Sequence, residues 1–270
     1  MPSGTIHPTR LFLDAGNTRI KAAIHVNGKW QAAGSFTWDE TARSEAFTDL
    51  CRDFNTIILV SVKRRFHAAD LKKMIRSEVI EIDRQTLPPH KLRYRTPETL
   101  GMDRYLACLG AWSFTNGDHC GSDDDRNTDA DHPDTAHSVH RAVIVSDAGT
   151  ACTIDAMDAE GVYYGGVIMP GLHTLIDALG KGADGLFAVA PAIPESWPPD
   201  STTAALQAGT AGTFLAAWES HVMRMQHRFP DARIWLTGGE TGFLKNHTSL
   251  DCETHEFLVF QGMLHWLESG

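Results

Sequence analysis

The sequence predicts an α/β protein built from two duplicated domains. One short phrase occurs twice, as Leu11-Phe12-Leu13-Asp14-Ala15-Gly16-Asn17-Thr18 and as Val143-Ile144-Val145-Ser146-Asp147-Ala148-Gly149-Thr150. Each copy is an apolar run with the content of a buried strand, and each ends in Asp-Ala-Gly followed by Asn or Thr. Both lead into another apolar stretch, Ile20 to Ile24 and Cys152 to Ile154, so each copy reads as a β-hairpin around a tight turn. The third observation is the order within each half, strands first and helices after.

In the first half, residues 11–26 read as strand, turn, strand, and Asn27-Gly28 supplies a hairpin turn into 29–37. A helix is predicted over 39–53, a buried strand over 56–62, a helix over 67–76, a short strand over 79–82 and a helix over 102–114. Residues 115–140 break the pattern, with almost no apolar side chains and many Asp, His, Asn and Ser. Such a segment cannot bury enough surface to offset its ordering entropy, and it reads as a flexible acidic insertion. The second half has strands at 142–147, 151–157 and 162–169, joined by turns at 158–161 and 170–171. Helices are predicted at 172–179, 202–228 and 256–268, and before the last of these a strand, Ile234 to Thr237, runs into Gly238-Gly239. The domain reading is therefore 1–115, an insertion at 116–140, and 141–270.

A chain of 270 residues is long enough for two cores. Its composition, 42% hydrophobic and 21% charged, is that of a soluble globular protein, and no apolar run is long enough to cross a bilayer. The first ten residues lack the apolar stretch of a signal peptide, so the expected compartment is the cytoplasm. The five cysteines, at 51, 108, 120, 152 and 252, are scattered and form no CxxC, which argues for reduced thiols and against a disulfide framework or zinc finger. A net charge of −10 argues against a nucleic-acid-binding surface. It leaves room for a locally positive or metal-assisted anion site.

The chemistry lies in the repeated turn. An aspartate at a strand end can face a metal ion, the glycine lets backbone amides approach an anion, and the next hydroxyl or amide can bond a phosphate oxygen. Two such turns suggest a duplicated domain that clamps one polyphosphate from both sides. Asp14, Asn17, Thr18 and Lys21 form the first candidate turn; Asp147, Thr150 and Ala151 form the second. Magnesium takes oxygen ligands, usually one or two carboxylates with waters and phosphate oxygens. Asp14 suits that role, and Asp147 suits a place near a cation. Gly101-Met102-Asp103-Arg104 opens a helix, where a general base or a bound anion would sit near the helix N-terminus. Read without that chemistry, Asp103 is a first-turn acid and Arg104 its surface partner. Thr237-Gly238-Gly239-Glu240 offers a flat backbone that can pack against a purine.

In order along the chain, DAGNTRIK at 14–21, GMDR at 101–104, DAGTACTID at 147–155, GGVIMPG at 165–171, TTAALQAG at 202–209 and LTGGE at 236–240 resemble the type III pantothenate kinases. These belong to the acetate kinase/sugar kinase/Hsp70/actin superfamily. The resemblance implies two actin-like (ribonuclease H-like) domains with the active site in the cleft between them. It implies ATP-dependent phosphorylation of pantothenate to 4′-phosphopantothenate, the first step of coenzyme A biosynthesis. ATP with Mg2+, a monovalent cation (K+ or NH4+) and a homodimer follow from it, with no nucleic acid or membrane as partner.

Carried over residue by residue, Asp14, Ala15, Gly16, Asn17, Thr18, Arg19, Ile20 and Lys21 are the ATP phosphate segment, with Asp14 a candidate magnesium ligand. Thr150 touches ATP, and Asp147 binds the monovalent cation. Tyr94, Gly101, Met102, Asp103 and Arg104 line the pantothenate pocket, with Asp103 as proton acceptor. Thr202 contacts pantothenate across the dimer interface. Met102 stands where the family more often has a small residue, and 115–140 is longer than its usual connection. The glycine-rich 180–185 has no assigned role. No GxxxxGK[ST] loop occurs, which argues against a P-loop kinase. Two other readings stay open. One is a non-catalytic accessory factor in transcriptional regulation, against which the presence of Asp14, Asp103 and Asp147 speaks. The other is a kinase of the same fold with another small-molecule substrate.

Overall fold

The structure, a computed structural model, describes residues 10–43, 45–63, 66–87, 91–117 and 140–269. The chain divides into two units. One holds the residues up to Ala107 and again from Phe257 onward; the other is Cys108–Glu256.

The first unit carries strands β1 (Arg10–Ala15), β2 (Arg19–Val26), β3 (Lys29–Thr37), β4 (Thr56–Ser61) and β5 (Glu78–Glu81), in the sheet order β3-β2-β1-β4-β5. β1 is antiparallel to β2 and parallel to β4. These two central strands are covered on both faces, which explains their uninterrupted apolar runs. Leu11, Leu13, Ala15, Ile57 and Leu59 form one core with Phe47 and Cys51 of helix α2 (Glu45–Arg52). Phe12 meets Trp30 edge-on at 5.1 Å, and Trp30 in turn packs against Phe257 and Phe260. Asn27 and Gly28 both have positive φ (52° and 75°), as a two-residue type I′ hairpin turn requires.

The predicted helix at 39–53 forms as two pieces, α1 (Trp38–Arg43) and α2, and only Ala68–Leu71 (α3) of 67–76 is helical. Helix α4 (Met102–Asn116) begins in the first unit and belongs to the second from Cys108.

The second unit repeats the plan. Strands β6 (Val143–Ala148), β7 (Ala151–Met157), β8 (Tyr163–Pro170), β9 (Arg233–Thr237) and β10 (Glu253–Thr254) lie in the order β10-β9-β6-β7-β8. Read from the other edge, this is the first sheet again: an antiparallel three-strand meander with two parallel strands beside its first strand. The duplicated, ribonuclease H-like architecture is present in both units. Helices α5 (Leu172–Gly182), α6 (Thr202–Gln207), α7 (Thr213–Arg228) and α8 (Thr241–His247) follow. Phe214, Trp218 and Val222 of α7 pack on Ile144, Ile154, Ile234 and Leu236. Trp218 Nε1 donates to Ser146 Oγ at 2.9 Å, so neither polar atom is buried without a partner.

Helix α9 (Leu258–Ser269), grouped above with the second domain from its place in the chain, packs with the first unit instead. Phe257 and Phe260 cover Trp30, and Gly262 lies so close to Leu106 that a Cβ there would come within 1.9 Å of the Leu106 carbonyl oxygen. Of the insertion read at 116–140, residues 118–139 lie outside the described residues. At its edges Asn116 and Arg141 exchange two hydrogen bonds, 3.0 and 2.7 Å long. Among the described residues no helix is long and apolar enough to cross a membrane.

Candidate active site

The first Asp-Ala-Gly turn joins β1 to β2. Asp14 stands opposite Lys21 and Ala15 opposite Ile20, and the Gly16 N–H donates to Arg19 O at 3.0 Å to close the turn. Asn17, Thr18 and Arg19 are exposed at its tip, whereas the side chains of Ala15 and Ile20 are fully buried. Those two residues belong to the core beneath the turn, and its exposed surface is that of residues 17–19. Two residues that sequence reasoning missed reach this turn. Trp38 Nε1 and Lys63 Nζ both donate to Asn17 O, at 3.0 and 2.8 Å, and the Lys63 ammonium lies 5.1 Å from the Trp38 ring centroid. The parallel β1–β4 pairing delivers Lys63, since Ser61 lies alongside Ala15 and the Val62 N–H donates to Ala15 O.

The Gly101–Arg104 phrase forms the first turn of α4, as expected. Asp103 Oδ1 accepts the Arg104 N–H at 2.8 Å and lies only 2.6 Å from where a Cβ on Gly101 would sit. Glycine is thus what lets the Asp103 carboxylate lean back over the helix start, where the helix dipole favours an anion. Arg104 is not the surface residue of the plainer reading: it is 8% exposed, with its guanidinium carbon 6.0 Å from the Tyr94 ring centroid. Tyr94 and the helix start therefore come together within the first unit. Met102 is buried and supports this turn by packing.

In the second unit the turn between β6 and β7 is one residue tighter, closed by the Gly149 N–H on Ala151 O at 3.1 Å. Thr150 is exposed, and its carbonyl accepts the Gly171 N–H at 3.0 Å and the Thr174 hydroxyl at 2.6 Å. Asp147 pairs in register with Thr237 of β9. Gly238 follows with φ of 93°, and a Cβ on it would stand 2.6 Å from Asp147 Oδ1 and 2.5 Å from Ala148 O. The Glu240 N–H then donates to Ala148 O at 3.0 Å. Three segments read separately in the sequence thus meet around one turn.

Thr202 opens α6 behind Ser201, whose Oγ accepts the Ala204 N–H at 3.3 Å. A π-helical segment, Ala208–Gly212, links α6 to α7. Thr202, Ala205, Gly209 and Thr213 are exposed along these turns, whereas Leu206 packs inside the unit.

Among the described residues no three His, Cys, Asp or Glu side chains gather as a metal cage. Asp14 and Asp147 each stand at the mouth of a turn, a donor set that suits an ion completed by waters and phosphate oxygens. Burial pushes the thiols of Cys51 and Cys152 up to about 12 and that of Cys252 to about 11, so these cysteines are poor nucleophiles.

Two sheets of equal topology, each ending its first strand in an Asp-Ala-Gly turn, define a duplicated α/β fold. A family model described as type III pantothenate kinase matches residues 10–121 and 133–224. The chain is 26% identical over 269 residues to the type III pantothenate kinase of Nitrosomonas eutropha, covering 96% of this chain and 95% of that one. It is 30% identical over 271 residues to that of Laribacter hongkongensis, covering 94% and 97%. A solved structure of a Campylobacter jejuni protein, assigned to the Baf family of transcriptional activators, superposes with a TM-score of 0.59 at 20% identity, covering 96% and 98%, a likeness of fold. The chain belongs to the type III pantothenate kinase family, whose members phosphorylate pantothenate in coenzyme A biosynthesis. It is a kinase, with pantothenate and ATP as substrates.

Proposed function

We propose that Asp103 is the proton acceptor when this kinase converts pantothenate to 4′-phosphopantothenate, and that Tyr94 and Gly101–Arg104 form the pantothenate pocket. The observation that carries this reading is the cluster at the start of α4. There a carboxylate leans over a glycine beside a buried arginine faced by a tyrosine ring. Phosphoryl transfer needs chiefly positioning and charge neutralisation, plus a group to take the proton of the attacking hydroxyl. Asp103 supplies that group. The Arg104 guanidinium, held by the ring, offers a fixed fork to the substrate carboxylate.

The Asp14–Lys21 segment receives ATP phosphates through its turn backbone, Asn17, Thr18, Arg19 and Lys21, and Thr150 contacts ATP. Asp14 would hold magnesium, which when bound neutralises phosphate charge. Asp147 would hold a potassium or ammonium ion. The active unit is a homodimer, with Thr202 of one protomer at the pantothenate site of its partner, and the exposed small residues along α6 allow such close packing.

The purified chain, assayed for ADP release with and without pantothenate, tests the reading. Release should require pantothenate, and Asp103→Asn should lower turnover by about 10²–10⁴ while leaving ATP binding and thermal unfolding unchanged. Pantothenate-independent ATP consumption, or parental turnover in the variant, would refute it.

A further inference from the structure

Both Asp-Ala-Gly turns treat the same carbonyl alike. The third residue after the aspartate is Asn17 in one unit and Thr150 in the other, and each carbonyl accepts two hydrogen bonds from outside its own hairpin. In the second unit the donors are the Gly171 N–H and the Thr174 hydroxyl, at 3.0 and 2.6 Å. In the first they are two side chains, the Trp38 indole N–H and the Lys63 ammonium, at 3.0 and 2.8 Å. The device recurs with different chemistry in each copy, so the held carbonyl is a property of the turn and not of one local sequence.

The physical consequence follows from the planar, trans peptide. Fixing the Asn17 carbonyl fixes the whole Asn17–Thr18 peptide, and turns the Thr18 amide to the side away from Lys63 and Trp38. A tip of exposed residues would otherwise sample several conformations and lose that freedom on binding. The donors are themselves held in place. Trp38 packs edge-on against Phe66 at 5.2 Å, and the Lys63 backbone N–H donates to Ser61 Oγ at 3.2 Å. Lys63 also brings a positive charge beside a turn that must receive a polyanion.

We infer that Lys63 and Trp38 are positioning residues for ATP: they clamp the Asn17 carbonyl and so pre-shape the phosphate turn. This rests on the assignment of Asp14–Lys21 to the ATP phosphates.

Lys63→Met keeps an aliphatic stem over the Trp38 ring but removes donor and charge, and Trp38→Phe keeps a ring against Phe66 but removes the N–H. Steady-state kinetics on the full chain, with ATP and pantothenate varied separately, reads the effect, and Thr18→Val reports on the turn itself. Lys63→Met should raise the KM for ATP about tenfold, the loss of one hydrogen bond from a charged donor. The KM for pantothenate should stay within about twofold. Lys63→Arg should recover most of the loss. The double variant should cost less than the product of the singles, because both donors serve one carbonyl. A parental KM for ATP in Lys63→Met, alongside a raised one in Thr18→Val, overturns the inference. Equal rises in both KM values with a lowered Tm overturn it too. An unchanged KM for ATP in Thr18→Val removes the phosphate assignment of the turn, and the inference falls with it.

Discussion

Replacing Gly238 by alanine perturbs the second turn without removing any polar side chain. Gly238 has φ of 93°, and an added Cβ would stand 2.5 Å from Ala148 O, 2.6 Å from Asp147 Oδ1 and 2.7 Å from the Ala148 carbonyl carbon. Two costs combine. An L-residue in the left-handed region costs about 1–2 kcal/mol. Forcing a methyl group against backbone that cannot swing aside costs about 1–3 kcal/mol more. Together they predict a loss of about 2–5 kcal/mol, which for a unit of this size lowers Tm by roughly 4–20 °C. Because the nearest side-chain atom is a carboxylate oxygen of Asp147, the variant should also lose affinity for ions at that turn. Gly239 is the control: its Cβ would meet nothing within 4 Å, and its φ is not in the left-handed region. Gly239→Ala should unfold like the parent, yet raise the KM for ATP if the Gly238-Gly239 backbone lies against the purine. Differential scanning calorimetry of both variants reads the stability side, and initial rates read the other. A Gly238→Ala protein that melts within a degree or two of the parent would refute the steric reasoning.

Activity at constant magnesium should be higher in potassium or ammonium than in sodium, through Asp147; equal initial rates would remove the monovalent-cation assignment. Burial holds the His255 imidazolium disfavoured below its usual value of 6.5, with Glu256 opposing in part. The unfolded chain therefore binds that proton first as pH falls, so the stability His255 contributes is complete above 6.5 and is lost on acidification. His255→Phe, which keeps a ring against Phe114 at 4.4 Å, should show a smaller drop in Tm than the parent between about pH 7.5 and 5.5; an identical drop would refute the role of His255. For the dimer, mixing inactive Asp103→Asn and inactive Thr202→Arg chains should restore about a quarter of parental activity, because half the dimers are mixed and each carries one intact site. No recovery after verified subunit exchange would mean that each protomer builds its own site.

What was legible in the sequence were features with a local cause. The two hairpins showed because a buried strand must be apolar and must end in a residue that can turn, and Asn27-Gly28 showed because a type I′ turn needs two positive φ values. The start of α4 was legible for the same reason. Tertiary neighbours were not. Lys63 and Trp38 carry no periodic signal, and only the pairing of β4 with β1 and the path into α1 bring them to Asn17. Arg104 in an isolated helix is an ordinary first-turn cation; its burial against Tyr94 depends on the segment before the helix folding back. Gly171 and Gly238 each stood out as glycines, but nothing local says that both lie against the Asp147–Thr150 turn. β10 is two residues long and α8 seven, too short to leave a period in the sequence.

The discontinuity of the first unit bears on how the nascent chain acquires its structure. Phe12 and Trp30 are translated early, yet the ring partners Phe257 and Phe260 emerge only after the whole second unit has been made. During that interval one face of the leading sheet presents bare aromatic surface, the kind that recruits chaperones or seeds aggregation. The later-synthesised unit, contiguous in the chain, has no such wait. The order in which the two units are completed therefore runs against the order of synthesis: the part written first is the part sealed last.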